Sequence, residues 1–427
     1  MARGATSHGV HSIPTLPDSL TRSVGRNGWL EDWRLAAALL VLGVAVAAGW
    51  TMLAVRDRRA GRRRRHPVLR QSGLSTLVTL LLLLGSGAAV NAYAGYAPDL
   101  TTLRRTGPQL IGMGSTSGQP RSVVLAGTGP YPAELTALMR SDPADRVPRG
   151  DNWVYLPPGY TDPANAHRRY PVVYLVHGWP GTPWDWFGAG EAGRTAATMQ
   201  LRGLIQPMIL VSVNAGAGTP RDTECLDSTT GGPEIQTFLS SALVADVDRT
   251  FRTIRNRSGR AIGGVSSGGY CALNLGLRHQ HVFGAILAMM PYGDPGRNAV
   301  DFMLGGNAAL GRANSPSDYV RTVPLSASQS VFLATGRDDT ETYRTVQLMA
   351  DVLGRRGDYV GVRINPGLGH TWREARYELP YALVVASARL GAPAHPPGAG
   401  RGRISARAPL TVSAQGAALG VRRARPP

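Results

Sequence analysis

The sequence predicts an α/β protein: a mostly parallel sheet covered by helices on both faces, a three-layer sandwich preceded by two transmembrane helices. Three observations carry this expectation. Beyond residue 150, short apolar runs alternate with stretches of helical period. The pentapeptide Gly264-Val265-Ser266-Ser267-Gly268 joins an apolar run to a helix-like run. Two long segments near the beginning hold no charged residue. Strands that alternate with helices of 10 to 18 residues pair in parallel, because each crossover helix returns the chain to the same sheet edge.

The uncharged segments are residues 35–55 and 72–98, the second with Leu80 to Leu84 in a row. Each is long enough to cross ~30 Å of hydrocarbon as a helix, and neither shows the polar stripe of a core helix. Between them, residues 56–70 hold eight Arg and one Asp. Short cationic loops stay cytoplasmic, so both outer ends face away from the cytoplasm. Trp29, Trp33, Tyr93 and Tyr96 then fall at the outer headgroup level. Ala92-Tyr93-Ala94 also resembles a signal-peptidase site, and cleavage there would release the downstream domain; the preceding span favours two retained helices. The expected organisation is a weakly ordered lead-in over 1–33, the two-helix membrane region over 34–98, a catalytic domain over 99–391 and a disordered basic tail over 392–427.

The formal charge of +18 suggests a nucleic-acid binder until it is located. Residues 56–70 and the six Arg of 392–427 supply most of it, so residues 98–391 are nearly neutral and a nucleic-acid partner is not expected.

Along the domain, residues 122–125 read as an edge strand. Residues 153–160 read as a strand closed by a proline turn, and 170–176 as a fully apolar strand ending at His177-Gly178. A helix follows over 191–206, then a strand over 208–213. The next helix, 237–254, carries Leu239, Leu243, Val247, Phe251 and Ile254 on one stripe. Arg260-Ala261-Ile262-Gly263 is a short buried strand, and a helix opens near Gly269. Strands follow at 285–290, 330–336 and 359–364, with helices at 341–356 and 373–390. No internal repeat is apparent.

A serine flanked by glycines two residues before and after, on a strand-to-helix turn, is a nucleophile elbow. The elbow requires an acid and then a histidine, in that chain order. Asp338 and Asp339 follow the strand over 330–336, and His370 follows the strand over 359–364. All three positions lie past the C-terminal ends of strands, where open α/β sheets bind ligands. Adjacent side chains point apart, so only one aspartate can orient His370; Asp339, deeper in its loop, is the expected one and Asp338 the alternative. Oxyanion stabilisation needs two backbone N–H donors, assigned to Ser267 and Trp179. Pro180 has no N–H. His177 is read as structural.

The loop after His177 also carries Trp184, Trp186 and Phe187, a high density for a chain with 7% aromatic residues. Three roles suit them: lining an acyl-chain pocket, touching the membrane surface, or anchoring the loop in the core. Asp222, Glu224 and Asp227 read as a solvated acidic loop, with contact to a cationic or sugar headgroup as the alternative. The two cysteines, Cys225 and Cys271, border the same site in a compartment that permits a disulfide; two buried thiols are the alternative. No Cys/His spacing of the zinc kind appears, and a metal is not expected.

Tyr155-Leu156-Pro157-Pro158-Gly159-Tyr160, the His177-Gly178 loop, Gly264-Val265-Ser266-Ser267-Gly268-Gly269-Tyr270, Gly336-Arg337-Asp338-Asp339 and Gly369-His370-Thr371-Trp372 resemble the esterase D and mycolyltransferase branch of the α/β-hydrolases. The resemblance covers about 150–390 and implies a cofactor-free serine hydrolase or acyltransferase acting on carboxylic esters. It assigns Ser266 as nucleophile, Asp339 as acid, His370 as base, and Trp179 and Ser267 as oxyanion donors. With its membrane helices the chain looks like membrane-anchored actinobacterial-type variants. The reading is an extracytoplasmic serine esterase acting on acyl or aminoacyl esters of envelope lipids or glycolipids. An acyltransferase serving a sugar hydroxyl and a catalytically silent scaffold are the alternatives.

Overall fold

In the computed structural model, which describes residues 10–20, 28–61, 67–104, 122–219, 221–367 and 369–391, the apolar runs pair into one ten-stranded sheet. Its strands are β1 (Val10–His11), β2 (Ser122–Leu125), β3 (Ala133–Asp142), β4 (Val147–Leu156), β5 (Val172–Val176), β6 (Ile209–Val213), β7 (Arg260–Val265), β8 (Ala285–Met289), β9 (Ser330–Gly336) and β10 (Tyr359–Asn365). They lie in the order β1-β10-β9-β8-β7-β5-β6-β4-β3-β2. From β1 to β6 every pair is parallel; β4, β3 and β2 continue the sheet antiparallel. Residues of β5, β6 and β8 are buried throughout, as the uninterrupted Val/Ile/Leu/Ala runs of a doubly covered parallel sheet require.

The helices of the N-terminal hairpin and those that cover the sheet are α1 (Trp33–Arg59), α2 (Pro67–Ala94), α3 (Ala192–Leu201), α4 (Leu243–Thr250), α5 (Ser267–Arg278), α6 (Thr340–Arg355) and α7 (Trp372–Arg389). Residues of α4, α5 and α6 pack with one face of the sheet, those of α3 and α7 with the other, giving the expected three layers. A π-helical turn, Phe238–Ala242, precedes α4. The stripe Leu239, Leu243 and Val247 is buried as its spacing predicts. The helix stops at Thr250, however, because Phe251 turns extended, so Ile254 lies beyond it.

Two strands escaped the sequence. β3 is rich in helix formers (Ala, Glu, Leu, Met) and becomes a strand because β4 pairs along its length. Within the stretch read as a weakly ordered lead-in, residues 10–20 are described and include β1. It pairs with β10, and Leu16 and Leu20 are buried among side chains of the face that carries α7. The tail over 392–427 lies outside the described residues.

Helices α1 and α2 are long and apolar enough to cross a membrane, and little of their surface is buried. They touch through small residues: a Cβ on Gly85 would come within 2.7 Å of Leu40 Cγ, and one on Gly43 within 3.2 Å of Leu82 Cδ2. Their outer ends are bonded to the sheet domain. Asn91 Nδ2 donates to Leu30 O and Ala97 O, each at 2.9 Å. Arg376 of α7 is wholly buried and donates to both carboxylate oxygens of Glu31, at 2.9 and 2.8 Å. It also donates to Gly95 O at 2.8 Å and Ala189 O at 2.7 Å. Arg373 Nη2 donates to Ala92 O at 2.6 Å. The Ala92-Tyr93-Ala94 stretch is therefore the last turn of α2, seated on α7. Because β1 precedes α1 and its neighbour β10 follows α2, both outer ends of the hairpin return to one sheet.

Candidate active site

The backbone of Ser266 shows why glycines surround it. Its φ of 61° and ψ of −123° are strained for a side-chain-bearing residue. A Cβ on Gly264 would run into the Gly268 carbonyl, and one on Gly268 into the Val176 carbonyl. The turn closes only without them. It leaves Ser266 Oγ at the C-terminal edge of the sheet, 2.7 Å from His370 Nε2. On the other side of the ring, His370 Nδ1 lies 2.6 Å from Asp339 Oδ2. These residues follow β7, β9 and β10, so parallel strands bring together groups up to 104 positions apart.

Asp339 rather than Asp338 faces the imidazole; Asp338 is exposed. Burial would push the Asp339 carboxyl up. Hydrogen bonds from His370 and Thr342 outweigh it and hold the group below its ordinary value, so it stays ionised. Thr371 accepts from Glu374 N, starting α7 immediately after the histidine. On the oxyanion side, Gly178 sits against Ser266: a Cβ there would lie 3.2 Å from Ser266 Cβ. The amides of Trp179 and Ser267 have no acceptor among the described residues.

The aromatic loop takes the third of its three roles. Trp184, Trp186 and Phe187, expected as substrate-binding residues, are instead buried in the core and are not among the residues that line the cavity at Ser266. Trp186 Nε1 donates to Val176 O at 2.9 Å, and Trp184 stacks edge-on against Trp153 with centroids 4.8 Å apart. Aromatic composition cannot distinguish an anchor from a lining, since both bury rings. Trp179 and Trp372 border the site instead. Of the four belt residues, Trp29, Trp33 and Tyr93 are exposed, but Tyr96 turns inward and donates to Asp185 Oδ1 at 2.9 Å.

The acidic loop is only partly solvated: Asp222 and Asp227 are half-buried. Asp227 accepts from Thr237, and Asp222 from Glu224 N at 3.0 Å and Ser267 Oγ at 3.1 Å. Glu224 is buried, and burial pushes its carboxyl well up. Cys225 and Cys271 are joined in a disulfide that ties this loop to α5. His177 is buried, with Nδ1 2.8 Å from Gly178 O, as expected of a structural residue. No group of three or more metal-ligating side chains occurs among the described residues.

Tyr292 was not legible in the sequence. Its ring stacks on His370 at 5.5 Å between centroids, with its hydroxyl 3.5 Å from Nε2. Its position just past β8 was the available signal. Behind the histidine, Asn365 Nδ2 donates to Glu374 Oε1 at 2.9 Å and also bonds Glu378. Burial first, and then the neighbouring Glu378, raises the Glu374 carboxyl to about 8. A raised carboxyl keeps its proton in the fold while the unfolded chain releases it. Stability is then full below the ordinary value of 4.5 and is lost as pH rises through about 8. The melting temperature of the full chain in detergent is expected to fall across that window, and Glu374→Gln to flatten the slope. An unchanged slope in that variant would assign the effect elsewhere.

A strained serine at the edge of a mostly parallel three-layer sheet, in reach of an imidazole that meets a carboxylate, defines a serine hydrolase of the α/β-hydrolase fold. Residues 152–355, just under half of the chain, match the family model described as putative esterase. The chain is 29% identical over 191 residues to an uncharacterized protein of Corynebacterium glutamicum, covering 44% of each chain. It is 32% identical to an endo-1,4-beta-xylanase/feruloyl esterase of Xylanibacter ruminicola, over 31% of this chain and 18% of that one. An esterase of Mycobacterium tuberculosis is 33% identical over 30% of this chain and 25% of its own. The matches thus span less than half the length of these relatives. In fold, the structure is similar to a ferulic acid esterase at a TM-score of 0.54 and 23% identity, covering 61% of this chain and 99% of that one. It is similar to an S-formylglutathione hydrolase of Agrobacterium tumefaciens at 0.50 and 18%, covering 63% and 99%.

Proposed function

We propose that this chain is a membrane-anchored, extracytoplasmic serine esterase that cleaves an acyl or aminoacyl ester of an envelope lipid or glycolipid. The observation that carries the reading is the unbroken relay from Ser266 Oγ through His370 to Asp339, at 2.7 and 2.6 Å. His370 Nε2 takes the serine proton as Oγ attacks the ester carbonyl carbon. The carbonyl oxygen becomes an oxyanion facing the amides of Trp179 and Ser267. Collapse breaks the bond to the leaving alkoxide, which receives the proton from the imidazolium. Water, deprotonated by the same imidazole, then releases the acid and restores Ser266. Asp339, held ionised, fixes the ring tautomer and stabilises its charged form.

Two features support placement outside the cytoplasm. The Arg-rich stretch 56–70 falls in the sequence between the two apolar segments, and positive charge between spans is retained inside. The segment before α1 and the domain after α2 share one sheet, which requires an even number of crossings.

A membrane-impermeant fluorophosphonate probe applied to intact cells tests the activity and its placement together. Labelling of the native chain, lost in Ser266→Ala, is the expected result. Labelling only after permeabilisation would overturn the topology, and no labelling in either case would overturn the esterase. With a long-chain ester and a sugar acceptor together, free acid is the expected product; an acylated sugar would make the enzyme an acyltransferase.

A further inference from the structure

One cavity joins the catalytic serine to the membrane helices. It encloses about 810 Å³, and its wall passes from Ser266, His370 and Trp179 to Leu35 and Leu39 of α1 and Leu84 and Gly87 of α2. Polar groups converge at one end only, where Ser266 and His370 stand. Asn91, the polar residue that α2 contributes, is already committed to Leu30 O and Ala97 O. Apart from Asn91, the wall that α1 and α2 contribute is leucine, alanine, valine and glycine.

From Ala94 to Leu84 the cavity follows α2 for about 15 Å, at ~1.5 Å per residue. That is half of the ~30 Å hydrocarbon core, or the depth of one leaflet. The bonds of Arg376, Arg373 and Asn91 hold the mouth of the cavity and the nucleophile in one rigid frame. A hairpin serving only as an anchor would need neither the frame nor a hollow continuous with the serine.

We infer that the two spans form the acyl-chain subsite of the enzyme. A single acyl chain of a lipid in the domain-facing leaflet slides between the outer halves of α1 and α2, and its ester carbonyl reaches Ser266 without the chain leaving hydrocarbon. This deepens the esterase reading and rests on it. The occupant is a hydrocarbon chain with an ester at one end, because the cavity presents one polar end and one apolar end and opens where lipid is the solvent. Lateral entry also removes the cost of drawing the chain into water, ~0.8 kcal/mol per methylene.

Gly87 supplies the test. It lines the cavity, and a Cβ there meets nothing within 4 Å, so a larger side chain fills the hollow rather than displacing the fold. In the full-length chain in detergent micelles, kcat/KM is measured for p-nitrophenyl butanoate and p-nitrophenyl palmitate. Gly87→Phe is expected to lower the palmitate-to-butanoate ratio by about tenfold or more. Leu84→Trp, an exposed lining position further down the cavity, is expected to lower it in the same direction. Gly49→Phe, on α1 with equally open surroundings and outside the cavity, should leave the ratio unchanged. A ratio unmoved by both cavity variants would overturn the subsite, as would an equal fall in Gly49→Phe. Fluorophosphonate labelling of each variant keeps the two readings apart. A native chain that neither labels nor hydrolyses butanoate defeats the esterase itself, whereas normal labelling with an unchanged ratio defeats only the subsite.

Discussion

Ser266→Ala is expected to lower kcat for p-nitrophenyl butanoate by about 10⁴- to 10⁶-fold, because the variant has no oxygen to form the acyl-enzyme. The expectation follows from geometry: among the described residues Ser266 Oγ is the hydroxyl within 2.7 Å of His370 Nε2, on a backbone strained to present it. Asp339→Asn is expected to cost about 10⁴-fold, since an amide opposite Nδ1 favours the wrong tautomer. Asp338→Asn, on the exposed neighbour, should behave as the native chain. Groups that act as one unit are not additive, so the Ser266/His370 double variant should lose little beyond Ser266→Ala. Steady-state kinetics with active-site titration of the native chain checks all four. Ser266→Ala retaining a tenth of native turnover would remove this serine from the chemistry.

The second large effect concerns stability. Glu31→Ala is expected to destabilise the full chain by about 3–5 kcal/mol, because it strands a buried guanidinium. Neither Arg376 nor Glu31 exposes any side-chain surface, and Nη2 donates to both carboxylate oxygens. Glu31 lies before the first span and Arg376 in the last helix, 345 positions on, so the loss also loosens the hairpin from the domain. Glu31→Met with Arg376→Met removes both charges, and such replacements are often tolerated when a pair alone is at stake. Here recovery should be partial. Gly95 O and Ala189 O would each lose a donor, at about 1–3 kcal/mol per buried unsatisfied group. Thermal unfolding in detergent, followed by fluorophosphonate labelling of Ser266, reads both consequences. A melting temperature unchanged in Glu31→Ala would show that Arg376 finds solvent or another partner when the carboxylate is gone.

Much of the site was legible because nucleophile chemistry leaves local marks. Gly264 and Gly268 are demanded by close backbone approach, and acid and base must follow strand ends in a fixed order. Tyr292 left no such mark: a lone tyrosine past a strand is ordinary until its ring is found on His370. The aromatic loop was ambiguous for a related reason. Trp186 and Trp179 sit seven residues apart in one loop, yet the first is fully buried and the second borders the cavity. Composition reports that a ring will be covered, not by what. The Glu31–Arg376 pair and β1 were illegible because each depends on a partner hundreds of residues away.

Local periodicity and composition alone determined the alternating strands and helices, the two long apolar helices, the elbow at Ser266 and the order of serine, acid and histidine. Those features depend on neighbours within a few residues, where backbone geometry and side-chain spacing act directly. Tertiary structure alone decided that Asp339 and not Asp338 meets His370, and that Val10–His11 adds an edge strand to the sheet. It also decided that the spans open a cavity onto the nucleophile. Side-chain direction and the joining of distant segments are settled only when the whole chain packs, since each such contact trades long-range ordering entropy against burial.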